Sequence, residues 1–359
     1  MRTRSGFYFD FESKPRPRKR MRAQVVEESV EKVDLFDSLH DDIIIVILSF
    51  LSGSAERPSD LLSVMKTCKR MNRLGKDPFV LKKATLESIS IEAKNWSQPA
   101  HKFLEMCADA GNLEACYLIG MIEFYCLGIS KGGSDGVMSM RKGLRYLIQA
   151  TKSGHAPATY SIAVICFNGS ALRKSDRHRR MGVALCTHAA RLGHVDALRE
   201  LGHCYLDGYG VPKNVTKGGR LINYAYAREL AFALDNHVQS VSASNEQSCH
   251  PHKVADDNSF FSDFGGISAT PEPHPANRFM AEWFKRMRGL GQHVQVCANS
   301  NCCRPEIRRF EFRRCSMCGF VSYCSWACQV FHWNMEHMVS CTTRIRWIED
   351  VIVNAHYPD

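Results

Sequence analysis

"AGNLEACYLIGMIEFYCLG" (residues 110–128) is followed by two versions of itself, "SGHAPATYSIAVICFNG" (153–169) and "LGHVDALRELGHCYLDGYGV" (192–211). Their leading glycines, Gly111, Gly154 and Gly193, lie 43 and 39 residues apart. In each, an alanine follows four residues later (Ala115, Ala158, Ala197), and a small residue five after that (Gly120, Ala163, Gly202). Small residues at fixed helical offsets let two helices approach closely. A second helix completes each unit, as in "MRKGLRYLIQATK" (140–152) and "MGVALCTHAARL" (181–192). A period near 40 with helix–turn–helix content predicts an α-solenoid, whose units bury their faces by stacking. The inserts "SKGGSD" (130–135) and "RKSDRHR" (173–179) are expected as loops.

The chain has 359 residues, 45% of them apolar, enough for two or three domains with real cores. No apolar run approaches the ~18 residues of a membrane span. The N-terminus lacks the apolar stretch of an export signal, so a reducing interior is expected, where thiols stay free or hold metal. Of 16 cysteines, eight fall between Cys297 and Cys341; those from Cys68 to Cys249 are expected as small buried hydrophobes. The formal charge of +10 is uneven. Residues 1–22 hold eight Lys/Arg against Asp10 and Glu12. "KPRPRKRMR" (14–22) therefore predicts a disordered basic arm that suits a nuclear-import signal, with a nuclear or cytoplasmic location.

After the arm, Leu39, Ile43, Ile44, Ile47, Leu48 and Leu51 recur at helical spacing, with Asp41 and Asp42 in the first turn. "GSAERPS" breaks the pattern, and Leu61, Leu62, Met65, Cys68 and Met71 form a second apolar series. Three short helices in about 50 residues cannot bury so broad a stripe alone, so it invites a partner. Ile43 and Leu48 are five apart and cannot share one narrow seam; part of the stripe must be core. The segment resembles an F-box in Leu39-His40-Asp41-Asp42, Ile47-Leu48, Leu61-Leu62 and Cys68-Lys69-Arg70, with His40 where proline is usual. That resemblance implies that Leu39, Ile43, Ile47, Leu48 and Leu62 bind an Skp-type adaptor.

At the other end, Cys297-x4-Cys302, Cys315-x2-Cys318, Cys324-x3-Cys328 and His337-x3-Cys341 form four ligand pairs. Each spacing lets both side chains reach one ion, and all-N/S ligation favours Zn²⁺ over hard cations. Eight ligands make two tetrahedral sites, so Cys302 and Cys303 cannot both serve. On helical spacing His337 and Cys341 share a face, whereas His332 points away from Cys341. Two fully ligated sites leave no position for a reactive water, so they are structural. "YCS" (323–325), Cys328-Gln329, Trp333, His337 and Cys341 resemble the ending of a MYND finger. The resemblance implies Cys297, Cys302, Cys324 and Cys328 on one zinc, and Cys315, Cys318, His337 and Cys341 on the other.

The expected order is a basic tail (1–33), F-box (34–85), repeats (86–235), linker (236–275), amphipathic helix (276–296) packed on the finger, the finger itself (297–341) and a C-terminal tail (342–359). The fold is mainly α: a three-helix F-box, an α-solenoid of helix–turn–helix repeats and a small zinc-stabilised finger. The repeats resemble SEL-like, tetratricopeptide-related units, and the whole resembles a plant-type family of F-box proteins. The resemblance implies a non-catalytic substrate-recognition subunit of an Skp–cullin–F-box ubiquitin ligase, recruiting an unidentified protein through repeats or finger. MYND fingers also accompany lysine methyltransferase domains, but the residues before this one read as helical repeat. A zinc-finger scaffold or nucleic-acid regulator is the alternative, suggested by "RPEIRRFEFRR" (304–314), although Glu306 and Glu311 interrupt its charge.

Overall fold

A computed structural model describes residues 36, 38–170, 178–244, 273–290 and 294–342. The basic arm, residues 245–272 of the expected linker and residues 343–359 lie outside the described residues. By chain contact, Met1–His40 and Asp41–Asp359 are separate units. In the first, the Leu39 N–H donates to the Phe36 carbonyl at 3.2 Å.

The second unit opens with α1 (Asp41–Ser54), α2 (Pro58–Met65), α3 (Lys69–Leu74) and α4 (Pro78–Lys82). Four helices replace the expected three. Asp77, whose carboxylate accepts the Phe79 N–H, and Pro78 in the first turn start a further one. Ile44, Leu48, Leu61, Met65, Leu74, Val80 and Leu81 bury their side chains between these helices. Asp41 accepts from Arg70 at 2.7 Å and Arg73 at 2.6 Å, which ties the start of α1 to α3 and lowers the carboxyl pKa.

The repeats come next: α5 (Leu86–Ile89), a 3₁₀ turn (Ala93–Asn95), α6 (Gln98–Asp109), α7 (Leu113–Met121) and a π-helical stretch (Ile122–Leu127). Then come α8 (Gly128–Lys131), α9 (Gly133–Lys152), α10 (Ala156–Asn168), α11 (Arg179–Arg191), α12 (Val195–Asp207) and α13 (Val215–Ser244). The sequence repeat has a local cause. Gly111, Gly154 and Gly193 end α6, α9 and α11 at φ 88°, 85° and 95°, a region that only glycine enters at little cost. The next residue, Asn112, His155 or His194, caps the following helix by accepting the N–H of Ala115, Ala158 or Ala197.

Close approach explains the second small residue. A Cβ on Gly143 would sit 2.6 Å from the Gly120 carbonyl and 2.5 Å from the Phe124 nitrogen, so α9 crosses α7 nearly backbone to backbone. "SKGGSD" is not a loop: Gly132, at φ 62°, is the whole break between α8 and α9. The run Leu113–Lys131 is long and apolar enough to cross a membrane, yet 72% of its most apolar window is buried as solenoid core.

Helix α13 runs to Ser244, past residue 236 where the linker is expected; no Gly or Pro interrupts 236–244. Helix α14 (Pro275–Gly289) touches the finger as expected, with Asn277 donating to the Asn301 carbonyl at 2.8 Å and Val296 and Ile307 packed against its buried cluster. It ends before residue 296, however, and its main contacts lie elsewhere. It packs back onto α7 and the π stretch through Phe279, Met280 and Phe284, while Leu290 is exposed. Glu282 and Arg286 clamp the backbone of Ala93 at 3.0 and 2.9 Å.

Candidate metal centre and adaptor face

The C-terminal finger is a pair of cysteine knuckles on a minimal hairpin. Strands β1 (Arg313–Arg314) and β2 (Ser322–Tyr323) are antiparallel with Arg313 opposite Tyr323, and a bridge joins Val296 to Pro305. Helix α15 (Trp326–His332) begins at Ser325, whose hydroxyl accepts the Cys328 N–H. A π turn (Trp333–His337) and α16 (Met338–Ser340) close the chain onto the second knuckle.

Two groups of donor atoms result. The sulfurs of Cys297, Cys302, Cys324 and Cys328 all lie within 4.8 Å of one another and are buried. So do the donors of Cys315, Cys318, His337 and Cys341. Cys302 and Cys324 sulfurs are 3.5 Å apart, Cys324 and Cys328 3.6 Å, and Cys315 and Cys341 3.9 Å. Disulfides need ~2.05 Å, so these are not bonded pairs. A tetrahedron with ~2.3 Å zinc–sulfur bonds has edges of ~3.8 Å, the separation found. The donors therefore fit zinc.

The doubtful residues fall outside both groups. Cys303 sits at φ 52° with its sulfur on the Ser300 carbonyl, and His332 bonds Tyr323 through Nδ1 at 3.0 Å while stacking on His337. Cys341 joins His337 for another reason than a shared helical face: the π turn rotates His337 and the helix stops at Ser340, so Cys341 reaches in from beyond its end.

The ligand thiols are split: burial pushes Cys297 up and Cys341 up to about 11, hydrogen bonds with the neighbouring sulfurs push Cys328 up, and two others are lowered. Burial pushes the Cys318 thiol up, but the backbone N–H groups of Phe320 and Val321 outweigh it and lower its pKa. Hydrogen bonds from Cys297, Cys324 and Cys328 hold Cys302 well below the usual thiol range, against burial and with help from Arg304. Outside the finger, burial pushes Cys107 up to about 12 and Cys116 to about 11, as for inert core thiols. Cys68 is no buried hydrophobe: it is exposed, and its sulfur caps α3 by accepting the Met71 N–H.

Sequence reasoning missed Arg304. It is buried, donates to the Cys302 sulfur at 3.3 Å and to the Ser161 hydroxyl on α10 at 2.8 Å, and lies over the Tyr160 ring. A buried guanidinium needs a negative partner, and four thiolates around one dication supply net −2. Other links lock the finger to the repeats. Asn168 donates to the Cys324 carbonyl, Glu200 accepts the Ala327 N–H, and Trp326 lies between His203 and Arg313. Burial raises Glu200 to about 7. Arg308 donates to the Gly169 carbonyl, so the basic run 304–314 spends three of its arginines inward, which no sequence signal announces.

On α1, two apolar stripes point opposite ways. Ile44 and Leu48 are core, Leu48 at 2% exposure, so Leu48, expected as an adaptor contact, is instead part of the packed face with Ile44, four residues earlier. Ile43 and Ile47 are exposed, together with Val46 and Phe50, the last at 74%. Val46 and Phe50 are absent from the sequence-derived stripe, though Ile43, Val46, Ile47 and Phe50 follow an i, i+3, i+4, i+7 pattern. Leu39 and Leu62 are half-buried.

Two proteins of Arabidopsis thaliana named as F-box proteins are each 46% identical to this chain. One match spans 347 residues, 93% of this chain and 89% of the relative; the other spans 314 residues, 87% of each. The chain belongs to this family of F-box proteins. Family models for plant tetratricopeptide repeats and for the MYND finger match its residues 87–188 and 296–341. A Sel1 repeat protein from Oxalobacter formigenes, 23% identical, aligns with a TM-score of 0.31 over 35% of this chain and 89% of its own. An Escherichia coli antigen with an SLR fold, 13% identical, gives 0.31 over 59% and 50%. The cofactor of this F-box protein is zinc, with two structural sites in its MYND finger.

Proposed function

We propose that this F-box protein is the substrate-receptor subunit of an Skp–cullin–F-box ubiquitin ligase, carrying out no chemistry itself. The observation that carries this reading is the outward stripe of α1. Ile43, Val46, Ile47 and Phe50 stay exposed while the opposite face of the same helix is fully packed. Such a stripe marks a protein-binding surface, and burying its side chains is worth ~1.5–3 kcal/mol each. The half-buried Leu39, two residues before α1 in sequence, and the half-buried Leu62 on α2 complete the adaptor contacts in this reading. Cys297, Cys302, Cys324 and Cys328 would hold one zinc, and Cys315, Cys318, His337 and Cys341 the other. Nucleic acid is disfavoured by the inward use of Arg304, Arg308 and Arg313.

The test is capture of a purified Skp-type adaptor by the full zinc-loaded chain. Ile47→Lys with Phe50→Glu should abolish capture while zinc content and helical signal persist, since both side chains are solvent-facing. Equal capture by wild type and variant, or none by either, refutes the reading.

A further inference from the structure

The last repeat holds a cleft that the adaptor and zinc readings leave unused. Its volume is about 420 Å³, within the range of ligand sites. It opens between α11 and α13 above α12, with Leu198, Leu201 and Leu221 as an apolar floor. Three cations stand around it: Arg191 at the end of α11, and Lys217 and Arg228 on α13.

The partners of those cations are neutral. Lys217 Nζ donates to the Tyr205 hydroxyl at 2.7 Å and lies 4.2 Å from the centre of that ring. Arg228 donates to the Gly193 carbonyl at 3.2 Å and the Tyr224 hydroxyl at 3.0 Å, with its guanidinium over the Tyr224 ring. Among the described residues no ion pair reaches Arg191, Lys217 or Arg228, and the cleft is lined by no carboxylate. Their neighbour Arg199 differs: it faces inward and is matched by Glu229 at 2.5 Å. Uncompensated positive charge around an apolar floor is complementary to a chain that is acidic and also carries a bulky apolar side chain.

We propose that this cleft binds an acidic peptide segment with one aliphatic or aromatic anchor, and that such a segment is the recognition element of the client protein. The second half rests on the substrate-receptor reading above; the first does not. Tethered cations order the peptide's carboxylates along the rim, and the anchor displaces water from Leu198, Leu201 and Leu221. Nucleic acid fits less well. One face of each tyrosine is already covered by a cation, which reduces the stacking surface that single strands use, and the floor offers only aliphatic contact.

The experiment is fluorescence anisotropy on the full zinc-loaded chain. The probe is a fluorescein-labelled peptide of alternating glutamate and glycine around a central leucine. The comparisons are the same peptide with serine for leucine, a lysine version, and a labelled oligouridylate. Saturable binding of the leucine peptide is expected, weakened by salt, with the serine and lysine versions weaker. Arg191→Glu with Lys217→Glu should weaken it by tenfold or more, roughly the effect of reversing two rim charges; both side chains are exposed. Arg191→Gln with Lys217→Gln should fall between, which guards against a folding defect, and adaptor capture should be unchanged in all variants. Absent binding to wild type, equal binding by the reversed variant, indifference to the leucine, or stronger binding of the oligouridylate would each overturn the proposal. Peptide binding without adaptor capture would instead remove the ligase reading and leave the cleft.

Discussion

Replacing Arg304 by methionine tests whether the finger and the repeats are one folding unit. Arg304 sits at 5% exposure, its guanidinium between the Cys302 sulfur at 3.3 Å and the Ser161 hydroxyl at 2.8 Å. Methionine keeps most of the volume as a flexible apolar chain, so the packing loss is small and the electrostatic loss dominates. Removing one partner of a buried charge pair costs about 3–5 kcal/mol. Taking ~3 kcal/mol as assigned to the zinc-bound state, the affinity of the Cys297, Cys302, Cys324 and Cys328 site should fall about 100-fold, since each ~1.4 kcal/mol is tenfold. The site at Cys315, Cys318, His337 and Cys341 makes no contact with Arg304 and should hold its zinc unchanged. Competition with a colorimetric zinc chelator should therefore turn wild-type release into two separated steps. Hydrogen exchange should show the amides of α10 losing protection together with the first zinc, because Ser161 and Asn168 both bond to the finger. Arg304→Lys, keeping the charge but not the fork, should recover part of the loss. Equal weakening of both sites, or α10 protection untouched after the first zinc leaves, would refute the coupling.

Zinc analysis of reduced protein should give two ions per chain, and one for Cys318→Ser; one ion in the wild type would contradict the paired sites. Glu123 is buried in α9's partner face, bonded to His101 at 2.8 Å and Lys142 at 2.9 Å. Burial pushes its carboxyl up, and these two partners more than offset that, to about 2. A depressed folded-state pKa adds stability that is complete above the unfolded value near 4.5 and disappears as pH falls toward 2. Glu123→Gln should thus cost about 2–3 kcal/mol at pH 7, read by denaturant unfolding, with the gap from wild type closing in that acid window; a constant gap would contradict the assignment. Gly143→Ala places a Cβ 2.5 Å from the Phe124 nitrogen and should destabilise by about 1–3 kcal/mol or more through separation of α7 and α9; a neutral or stabilising effect, as for an ordinary helical glycine, would refute the close crossing.

The features legible in the sequence are those set by short-range constraints. Gly111, Gly154 and Gly193 announce the repeat because each hairpin demands a left-handed residue, a purely local requirement that leaves a mark at fixed spacing. The zinc ligands are legible for the same reason, since a tetrahedral ion imposes short, regular separations on the chain. The faces of α1 are half legible. Ile43, Ile44, Ile47 and Leu48 are all apolar, and period alone cannot say which pair meets α2 and α4 and which meets solvent; only the packed neighbours decide. The π turn at Trp333–His337 leaves no signature, so the helical argument for His337 and Cys341 reaches the observed pair through a geometry the chain does not adopt. Least legible is Arg304. In a run of five arginines it looks like a surface cation, and its burial depends on α10 lying against the finger, more than 140 residues away in sequence.

That long-range contact is one of several that join neighbouring parts of this F-box protein. Asn112, which caps α7, also donates to the Ala84 carbonyl at 2.7 Å and the Lys82 carbonyl at 3.2 Å, so the end of the F-box is bolted to the first repeat. Leu81 and Ala84 share one buried cluster with Leu118, Ile119 and Phe279 of the repeats and α14. Tyr160, Val164 and Phe167 of α10 share another with Cys302, Cys324 and Cys328 of the finger. Among the described residues, apolar packing joins the F-box helices to the repeats and the repeats to the zinc sites. Small interdomain surfaces permit relative motion, whereas extensive shared cores oppose it. A client held on the repeats would therefore sit at a set distance and direction from the outward stripe of α1, and the effective concentration at the conjugating enzyme would be fixed by shape and not by tether length. The MYND finger, on this view, braces α10 and α12 side by side, with zinc supplying the rigidity that a short irregular segment lacks on its own.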